Sequence, residues 1–417
     1  MIKIDEIKLQ TILDSRGEKT LEAFIKSGDI EVVSSIPKGK SRGKKEAFLI
    51  DTEIALKKFE KIKESLLKQD FCSQEEFDDF LIQLDGTANK SNLGGNLTLV
   101  LSQAFSRLMA KKEGLELWQY LEKEIFSLAP DLKEKNLQVF VPYFFFNLIN
   151  AGKHASFGPR FQEYLIVPQV KDPVYSLSLA KEFFEALKNY FKKNYQKNEF
   201  GDEGGLLIPK TDFEEPLKIY FQIRKDLHLE DKIGFALDVA ASSFYNQKDE
   251  KYYLEKDKNF SQEELAQIYK KINSSYWFFS LEDPFEENDW LGFKKIREIF
   301  TEESGGPLII GDDLTATNLL LVKKAIEARA IDGLIIKPTQ IGTVTETLKT
   351  IVFAQKNDLK IIVSHRSAET KDDFVADLAW ASRAFGLKAG APQPEERMVK
   401  YNRIINIFNS QFPILKL

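Results

Sequence analysis

The chain has 417 residues and a formal net charge of −5, with 43% hydrophobic and 29% charged residues. This length exceeds what one ordinary hydrophobic core holds, so two domains are expected unless the core is a large barrel with an added unit. The composition is that of a globular protein, and the acidic balance argues against a general nucleic-acid binder, which needs a basic surplus.

The sequence favours a cytoplasmic location. Cys72 is the single cysteine and cannot form an internal disulfide, which fits a reducing compartment, and we expect it to be a small core side chain. The N-terminus lacks the continuous apolar segment of a secretory signal. The longest apolar run, around 140–149, is shorter than the ~20 residues of a membrane span, so no membrane partner is expected.

Residues 1–128 carry the pattern of an α+β domain. The stretch 2–36 alternates apolar and polar residues between two turns, which predicts a three-stranded antiparallel meander. Helical spacing of apolar residues then predicts helices, the last a long one from 97 to about 121. We interpret the polar stretch 129–136 as the linker to a second domain.

Between the meander and the helices lies the segment 37–47, PKGKSRGKKEA, which we name the lid loop. Two glycines stand among five basic side chains in this segment. Because glycine leaves the backbone free to adopt many conformations, the sequence predicts a mobile, cationic loop.

Residues 137–417 carry the pattern of a barrel. Strand-like apolar runs alternate with helical patterns, as in the successive units of a (β/α)8 barrel, which makes the fold class α/β. A doubly wound open sheet is the alternative, but no GxGxxG motif opens the first unit. Five apolar runs end in polar or charged residues: FALD (235–238), FFSLED (278–283), LIIGDD (308–313), LIIK (334–337) and IIVSHRS (361–367).

Three carboxylates, Asp238, Glu282 and Asp312, each follow a separate predicted strand. In a parallel barrel these strand ends meet at one mouth, where three acidic groups repel one another unless a cation lies between them. Oxygen ligands suit a hard ion, Mg²⁺ above all. A solvated acidic rim explains any one of these residues alone, whereas the set of three favours a metal.

Lys337 follows the apolar run 334–336, and Pro338 ends the strand directly after it. A lone lysine at such a position often extends to solvent. Beside a metal it can act as a base, provided that its pKa falls from about 10.4 toward neutrality. The combination points to removal of a proton beside a carboxylate.

Two histidines lie in polar, cationic segments. His154 is one of them, and His365, which precedes Arg366 and Ser367, is the other; such loops can hold phosphate. Surface or core positions also explain either histidine. The segment GDEGG (201–205) places an acidic pair among glycines, which is a weak signal by itself.

A set of motifs extends from one end of the chain to the other: DSRG (14–17), LDGTANKS (84–91), NLINAGKHA (147–155), QEY (162–164), GDEGG (201–205), ALDVAAS (236–242), LEDPF (281–285), GDDLTATN (311–318), KPTQIGT (337–343), SHRSAET (364–370) and LKAGAP (387–392). Taken together and in this order, these motifs resemble the enolase family, the phosphopyruvate hydratases. The resemblance implies a small α+β capping domain followed by a barrel with an irregular start. It also implies a glycolytic enzyme that interconverts 2-phosphoglycerate and phosphoenolpyruvate.

The resemblance further implies catalytic roles at matching positions. Lys337 matches the base that takes the C2 proton, and Glu203 matches the acid that helps the C3 hydroxide to leave. Glu163 and His154 match groups close to that hydroxyl, and His365 matches the neighbouring histidine of the active site.

Metal and substrate contacts are implied in the same way. Asp238, Glu282 and Asp312 match the ligands of the first of two Mg²⁺ ions, and Ser41 matches a ligand of the second. The implied substrate-binding set is His154, Glu163, Lys337, Arg366, Ser367 and Lys388, with Lys388 on the substrate carboxylate and Arg366 and Ser367 on its phosphate.

The lid loop departs from the family, which usually has PSGASTG where this chain has PKGKSRG (37–43). Ser41 is kept, while Lys38, Lys40 and Arg42 add three positive charges to a loop that should close over an anionic substrate. Our hypothesis is that these charges alter closure and the affinity for the second Mg²⁺ without abolishing turnover.

The resemblance implies a homodimer, and larger homo-oligomers stay open. Glu22 matches a charged interface residue, but Asn406 stands where its arginine partner is usual. Gln10 and Asn409 also replace charged residues, which predicts a less ionic interface.

Two alternative functions stay open. One is another dehydratase or epimerase of the enolase superfamily, although Glu203, the Arg366–Ser367 pair and Ser41 favour a phosphorylated substrate. The other is an enolase-derived binding or scaffold protein with weakened catalysis, which only the cationic lid loop supports.

Overall fold

The computed structural model describes residues 1–39, 43–135, 140–152, 158–209, 211–255, 258–302 and 305–412. The predicted site residues Ser41 and His154 lie outside the described residues, as do Lys40 and Arg42 of the lid loop.

The N-terminal part consists of an antiparallel sheet covered by helices. Its elements are β1 (Ile2–Lys3), β2 (Glu6–Leu13), β3 (Lys19–Ser27), β4 (Ile30–Ser35), α1 (Thr52–Lys68), β5 (Asp70–Phe71), α2 (Gln74–Asp85), α3 (Gly95–Lys112), α4 (Leu117–Leu128) and α5 (Pro130–Lys135). Strands β2, β3 and β4 pair antiparallel in that order, which confirms the predicted meander. Helix α3 packs on this sheet and is buried along almost its whole length.

Two predictions about this part are wrong. The single helix predicted over 97–121 is two helices, α3 and α4, because Gly114 turns the chain with a φ of +70° after α3 ends. The apolar periodicity continues on both sides of this break and so conceals it. The second wrong prediction concerns Cys72, which is exposed instead of lying in the core. The short helix α5 lies within the stretch predicted as the linker, and that linker stays a prediction.

The C-terminal part consists of strands and helices in alternation. The strands are β6 (Tyr143–Asn150), β7 (Glu163–Pro168), β8 (Leu206–Leu207), β9 (Ile233–Asp238), β10 (Tyr245–Asn246), β11 (Lys251–Glu255), β12 (Lys258–Phe260), β13 (Phe278–Glu282), β14 (Leu308–Gly311), β15 (Gly333–Ile336), β16 (Lys360–Ser364) and β17 (Gly386–Lys388). The helices are α6 (Pro173–Tyr195), α7 (Glu215–Asp226), α8 (Gln262–Tyr276), α9 (Trp290–Glu302), α10 (Leu319–Glu327), α11 (Pro338–Ile341), α12 (Val344–Lys356), α13 (Phe374–Ala381) and α14 (Glu395–Gln411).

Eight of these strands close into a barrel in the order β6, β7, β9, β13, β14, β15, β16 and β17, with β17 pairing back onto β6. The predicted α/β barrel is therefore confirmed. Strand β7 runs antiparallel to both of its neighbours, which is the irregular start that the family resemblance implies. Because β7 runs the other way, its first residue, Glu163, lies level with Asp238, the last residue of β9.

The barrel interior is filled with apolar side chains. One buried cluster consists of Phe145, Leu165, Val167, Ala236, Ile310, Ile335 and Ile362. Phe279 and Phe385 pack against this cluster and stack on each other with 5.5 Å between ring centroids. The interior is thus a packed core, and the polar chemistry is confined to the mouth of the barrel.

Polar contacts join the two parts near the start of the lid loop. Arg107 of α3 pairs with Asp372 and Asp373 at 2.7 and 3.1 Å. Asp372 also accepts a hydrogen bond of 2.9 Å from the backbone N–H of Ser35, at the end of β4. The chain therefore enters the lid loop from a point that is fixed to the barrel. Across the described part of the chain, no helix is long and apolar enough to cross a membrane.

Candidate active site

The carboxyl ends of the barrel strands bring together the residues that the sequence singles out. Asp238 ends β9, Glu282 ends β13 and Asp312 follows β14, and all three side chains are buried. The predicted site residues that line one pocket at this mouth are Glu163, Glu203, Asp238, Asp312, Lys337, His365, Arg366, Ser367 and Lys388. Glu282 joins this group through its contact with Lys388.

Lys388, the last residue of β17, places its ammonium group among three carboxylates. Its Nζ lies 2.8 Å from Glu282, 3.0 Å from Glu163 and 3.2 Å from Asp238. Burial acts to lower the pKa of Lys388, but these carboxylates, Asp238 most, outweigh it and raise that pKa well above its ordinary value. The lysine is therefore charged and ties β17 to the opposite side of the mouth.

Within the described residues, the negative charge that the groups at the mouth can carry exceeds the positive charge that contacts it. Four carboxylates (Glu163, Asp238, Glu282 and Asp312) contact two ammonium groups (Lys337 and Lys388), so this cluster carries −4 + 2 = −2 when every group is ionised. Burial raises the pKa of Glu282, and the charge of Asp238 raises it further. Burial also raises the pKa of Asp238. The carboxylate cluster has the chemistry to accept a divalent cation.

The side chains are not arranged as a finished set of metal ligands. In the described ranges, no three His, Cys, Asp or Glu side chains are grouped so that they could hold an ion. The two ammonium groups occupy positions beside the carboxylates instead. The predicted metal ligands are thus brought to one mouth but are engaged with lysines.

Lys337 follows β15 and pairs with Asp312 at 2.5 Å. Burial acts to lower the pKa of Lys337, but Asp312 outweighs burial and the pKa lies above its ordinary value. This is opposite to the lowered pKa that the sequence analysis required of a base. The reason is geometric, because one of the predicted metal ligands forms the ion pair with the lysine itself.

Glu203 lies in the loop before β8 and is held from two sides. The amide of Asn147 donates a hydrogen bond of 2.7 Å to its carboxylate. The Nε2 atom of His365 lies 3.6 Å from the same carboxylate. Burial and the neighbouring Arg397 lower the pKa of His365 well below its ordinary value, so its ring is neutral. Sequence reasoning did not single out Asn147, although a polar residue inside the apolar strand β6 is a usable signal.

Arg366 is buried and faces a carboxylate from the lid loop. Its guanidinium group pairs with Glu46, with nitrogen–oxygen distances of 2.8 and 3.2 Å. Glu46 also accepts a hydrogen bond of 3.0 Å from the backbone N–H of Gly43. Gly39 lies so close to Arg366 that an added Cβ would be 2.2 Å from the guanidinium group. The lid loop thus contacts the predicted phosphate-binding arginine on both sides of its undescribed centre.

Lys38 does not line the pocket at the mouth of the barrel. Its backbone forms two hydrogen bonds of 3.2 Å with Ala368, and its ammonium group pairs with Glu18 at 3.2 Å. Nearly half of this lysine side chain is exposed. Lys38 carries one of the three positive charges by which the lid loop departs from the usual family sequence. Its charge is therefore paired with Glu18 at the surface.

Comparisons with known proteins identify the family of the chain. Residues 4–121 match the family model described as "Enolase, N-terminal domain", and residues 138–411 match "Enolase, C-terminal TIM barrel domain". The chain belongs to the enolase family. It is 37% identical to the enolase of Sulfurisphaera tokodaii, 36% to that of Campylobacter jejuni subsp. doylei and 35% to that of Methanococcus aeolicus. These matches cover 98%, 98% and 96% of this chain and 96%, 97% and 94% of the respective relatives.

Membership of the enolase family confirms the prediction that the chain is a lyase, a phosphopyruvate hydratase. The structure brings the predicted residues of the described ranges together at one mouth, while the roles of the individual residues stay predictions.

Replacing Glu46 with Gln should loosen the lid loop. The change removes the charge that faces buried Arg366, and loss of one partner from a buried ion pair is strongly destabilising. We expect limited trypsin digestion to cut within the lid loop at least about ten-fold faster, which corresponds to about 1.4 kcal/mol.

Glu18→Gln is the matched control, since it removes a half-exposed carboxylate that pairs with Lys38 and lies 3.6 Å from Arg16. The control should change the cleavage rate by less than about two-fold, because exposed ion pairs contribute little. Equal acceleration in both variants would show that the Glu46–Arg366 pair does not hold the loop.

Proposed function

We propose that the chain catalyses the reversible dehydration of 2-phosphoglycerate to phosphoenolpyruvate, with Lys337 as the base. The observation that carries this proposal is that Lys337 and Glu203 line the same buried pocket as Arg366, Ser367 and Lys388. This elimination needs a base, an acid, and cationic groups for a carboxylate and a phosphate. All of these chemical groups meet at the mouth of the barrel.

The proposed proton transfers balance as loss of water. Lys337, uncharged, takes the C2 proton onto Nζ, and the charge that develops spreads onto the substrate carboxylate beside Lys388. The electron pair then forms the C2–C3 double bond while the C3–O bond breaks. Glu203 donates its proton to the departing hydroxide, which leaves as water.

Several groups orient this chemistry. Asn147 and His365 fix the position of the Glu203 carboxylate. Arg366 and Ser367 are proposed to bind the substrate phosphate, because guanidinium groups suit phosphate geometry. Glu163 lies at the mouth through the reversed direction of β7, and with His154 it is proposed to face the C3 hydroxyl.

Mg²⁺ is proposed as the cofactor, two ions per site. Asp238, Glu282 and Asp312 would hold the first ion, since they supply oxygen ligands from one mouth of the barrel. Bound there, the ion would stabilise the negative charge that develops on the substrate carboxylate. Ser41 of the lid loop is proposed to contribute to the second site.

The ion pair between Lys337 and Asp312 bears directly on base function. Lys337 can accept a proton only after it has lost one, and the Asp312 carboxylate opposes that loss. Asp312 would have to leave Lys337 for the lysine to act as a base, and holding a cation would give the Asp312 carboxylate another partner. Lys337 would then stand in a buried position where its neutral form is favoured.

The two alternative functions receive less support from the structure. Arg366 and Ser367 line the pocket, which favours a phosphorylated substrate over the other substrates of the superfamily. A binding or scaffold role depended on the charges of the lid loop, and Lys38 already pairs with Glu18.

We further propose a cytoplasmic homodimer. Glu22 accepts a hydrogen bond of 2.6 Å from Gln10 of the same sheet, so Gln10 holds the carboxylate within the chain. Leu13 and Val33 of that sheet are exposed, which fits an interface with fewer ion pairs. The single cysteine and the net charge of −5 support the location and the absence of nucleic-acid partners.

Lys337→Ala should abolish turnover while leaving metal binding intact. Loss of a general base lowers the rate by about 10² to 10⁴-fold, which is measured by the ultraviolet absorbance of phosphoenolpyruvate formed from 2-phosphoglycerate. Lys349→Ala removes a half-exposed lysine that pairs with Glu75, and this control should keep full turnover. Near-native turnover in Lys337→Ala would reject Lys337 as the base, and no turnover by the folded unmodified chain would reject the proposed function.

Mg²⁺ should raise the melting temperature of the unmodified protein. A ligand at 100 times its dissociation constant stabilises the folded state by about 2.7 kcal/mol. Glu282→Gln should lose most of this Mg²⁺-dependent shift, whereas Glu298→Gln, which changes an exposed carboxylate on α9, should keep it. The same shift in both variants would exclude Glu282 as a ligand.

The oligomeric state should appear in light scattering over a dilution series. The measured mass should correspond to two chains at high protein concentration. A constant mass of one chain across the series would refute the dimer.

A further inference from the structure

Arg397 is a fully buried arginine on α14, and its surroundings are unusual for a charged group. Within the described residues, no carboxylate lies at ion-pairing distance from its guanidinium group. Burying a cation without a charged partner is unfavourable unless strong hydrogen bonds replace its water. The hydrogen-bond acceptors that Arg397 contacts therefore indicate its structural role.

The guanidinium group of Arg397 donates to four acceptors on two loops of the candidate site. They are the Nδ1 atom of His365 and the carbonyl oxygens of Arg366 at 2.8 Å, Ser367 at 2.7 Å and Asp202 at 3.0 Å. One of these loops carries the predicted phosphate contacts and the other carries Glu203. A single side chain thus fixes the distance between the two loops.

Two glycines allow this close approach. Gly204 has a φ of +82°, and a Cβ there would lie 2.5 Å from Pro394, the residue before α14. Gly390 has a φ of +88°, and a Cβ there would lie 3.0 Å from the Cδ of Arg397. The backbone is therefore shaped around the start of α14 and its buried arginine.

The contact with His365 also decides where the imidazole carries its proton. Guanidinium groups only donate hydrogen bonds, so the Nδ1 atom of His365 must act as the acceptor. The single proton of the neutral ring then lies on Nε2, which faces the carboxylate of Glu203 at 3.6 Å. Protonation of Nδ1 would set two donors and two positive charges against each other.

Five charged side chains face or influence the ring of His365. They are Arg397 on α14, Glu203 before β8, Glu163 on β7, Lys388 on β17 and Lys337 after β15. The two carboxylates favour a charged ring, whereas the three cations and the burial of the ring oppose it.

We infer that Arg397 is a positioning residue of the proposed reaction, which keeps His365 as its Nε2–H tautomer toward Glu203 and locks the Asp202–Glu203 segment to the Arg366–Ser367 segment. This inference rests on the proposed function for its catalytic consequence. The tautomer of His365 and the link between the two loops do not depend on the proposed function.

The imidazole test uses ¹⁵N-labelled histidine and long-range proton–nitrogen correlation spectra. The chain has three histidines, and Asn substitutions of His154 and His228 assign the signals. In the unmodified protein, His365 should show one Nε2–H tautomer and no titration between about pH 5 and 8. An Nδ1–H tautomer, or a titration in that range, overturns the inference without any variant.

Arg397→Met should release the ring. We expect mixed tautomers or a titration of His365 within the same pH range, because both the donor and the cation beside Nδ1 are lost. Arg403→Met is the matched control, since Arg403 lies on the same helix but pairs with Asp377 and Glu116. The control should leave the His365 signals unchanged, and an unchanged single Nε2–H signal in Arg397→Met refutes the role.

A kinetic measurement separates positioning from general stability. In Arg397→Lys, one ammonium group cannot reach all four acceptors, so kcat should fall by about 10- to 100-fold while the protein remains folded by circular dichroism. KM for 2-phosphoglycerate should change by less than about three-fold, since the phosphate-binding side chains remain. Unchanged kcat in this variant overturns the positioning role, whereas an inactive unmodified protein with the expected histidine spectrum rejects only the proposed function.

Discussion

The ammonium group of Lys388 among buried carboxylates is the interaction on which the site depends. Strands β9, β13 and β17 end at one narrow opening and β7 begins there, and each brings an ionisable group that would be unstable there alone. The positive charge of the lysine offsets much of the repulsion among these carboxylates. The free energy that this assembly costs is supplied by the packed apolar interior of the barrel.

Much of this arrangement follows from sequence patterns. Strands that end in Asp238, Glu282 and Lys337 are recognisable because apolar runs of strand length stop at a charged residue. The rule that parallel strand ends share one mouth then places these groups together. The three-stranded meander is recognisable for a similar reason, since turn residues separate alternating segments.

Other features depend on contacts between residues far apart in the sequence, which local sequence patterns do not predict. Glu46 and Arg366 are 320 positions apart, and Arg397 reaches back to Asp202 across 195 positions. The ionisation of Lys337 is also beyond sequence reasoning, because its direction depends on which carboxylate lies at contact distance. The sequence does not reveal the break between α3 and α4, because the apolar spacing of a helix continues through the turn at Gly114.

The pairing of β17 with β6 has a consequence for how the protein is made. One edge of β6, at Tyr143–Phe145, forms its strand pairing only with Gly386–Lys388 of β17. More than half of the chain lies between these two segments. During synthesis a ribosome-bound chain therefore holds an open sheet edge until its last strand emerges. Because Lys388 lies on that strand, the closing of the sheet and the arrival of the central cation are one event.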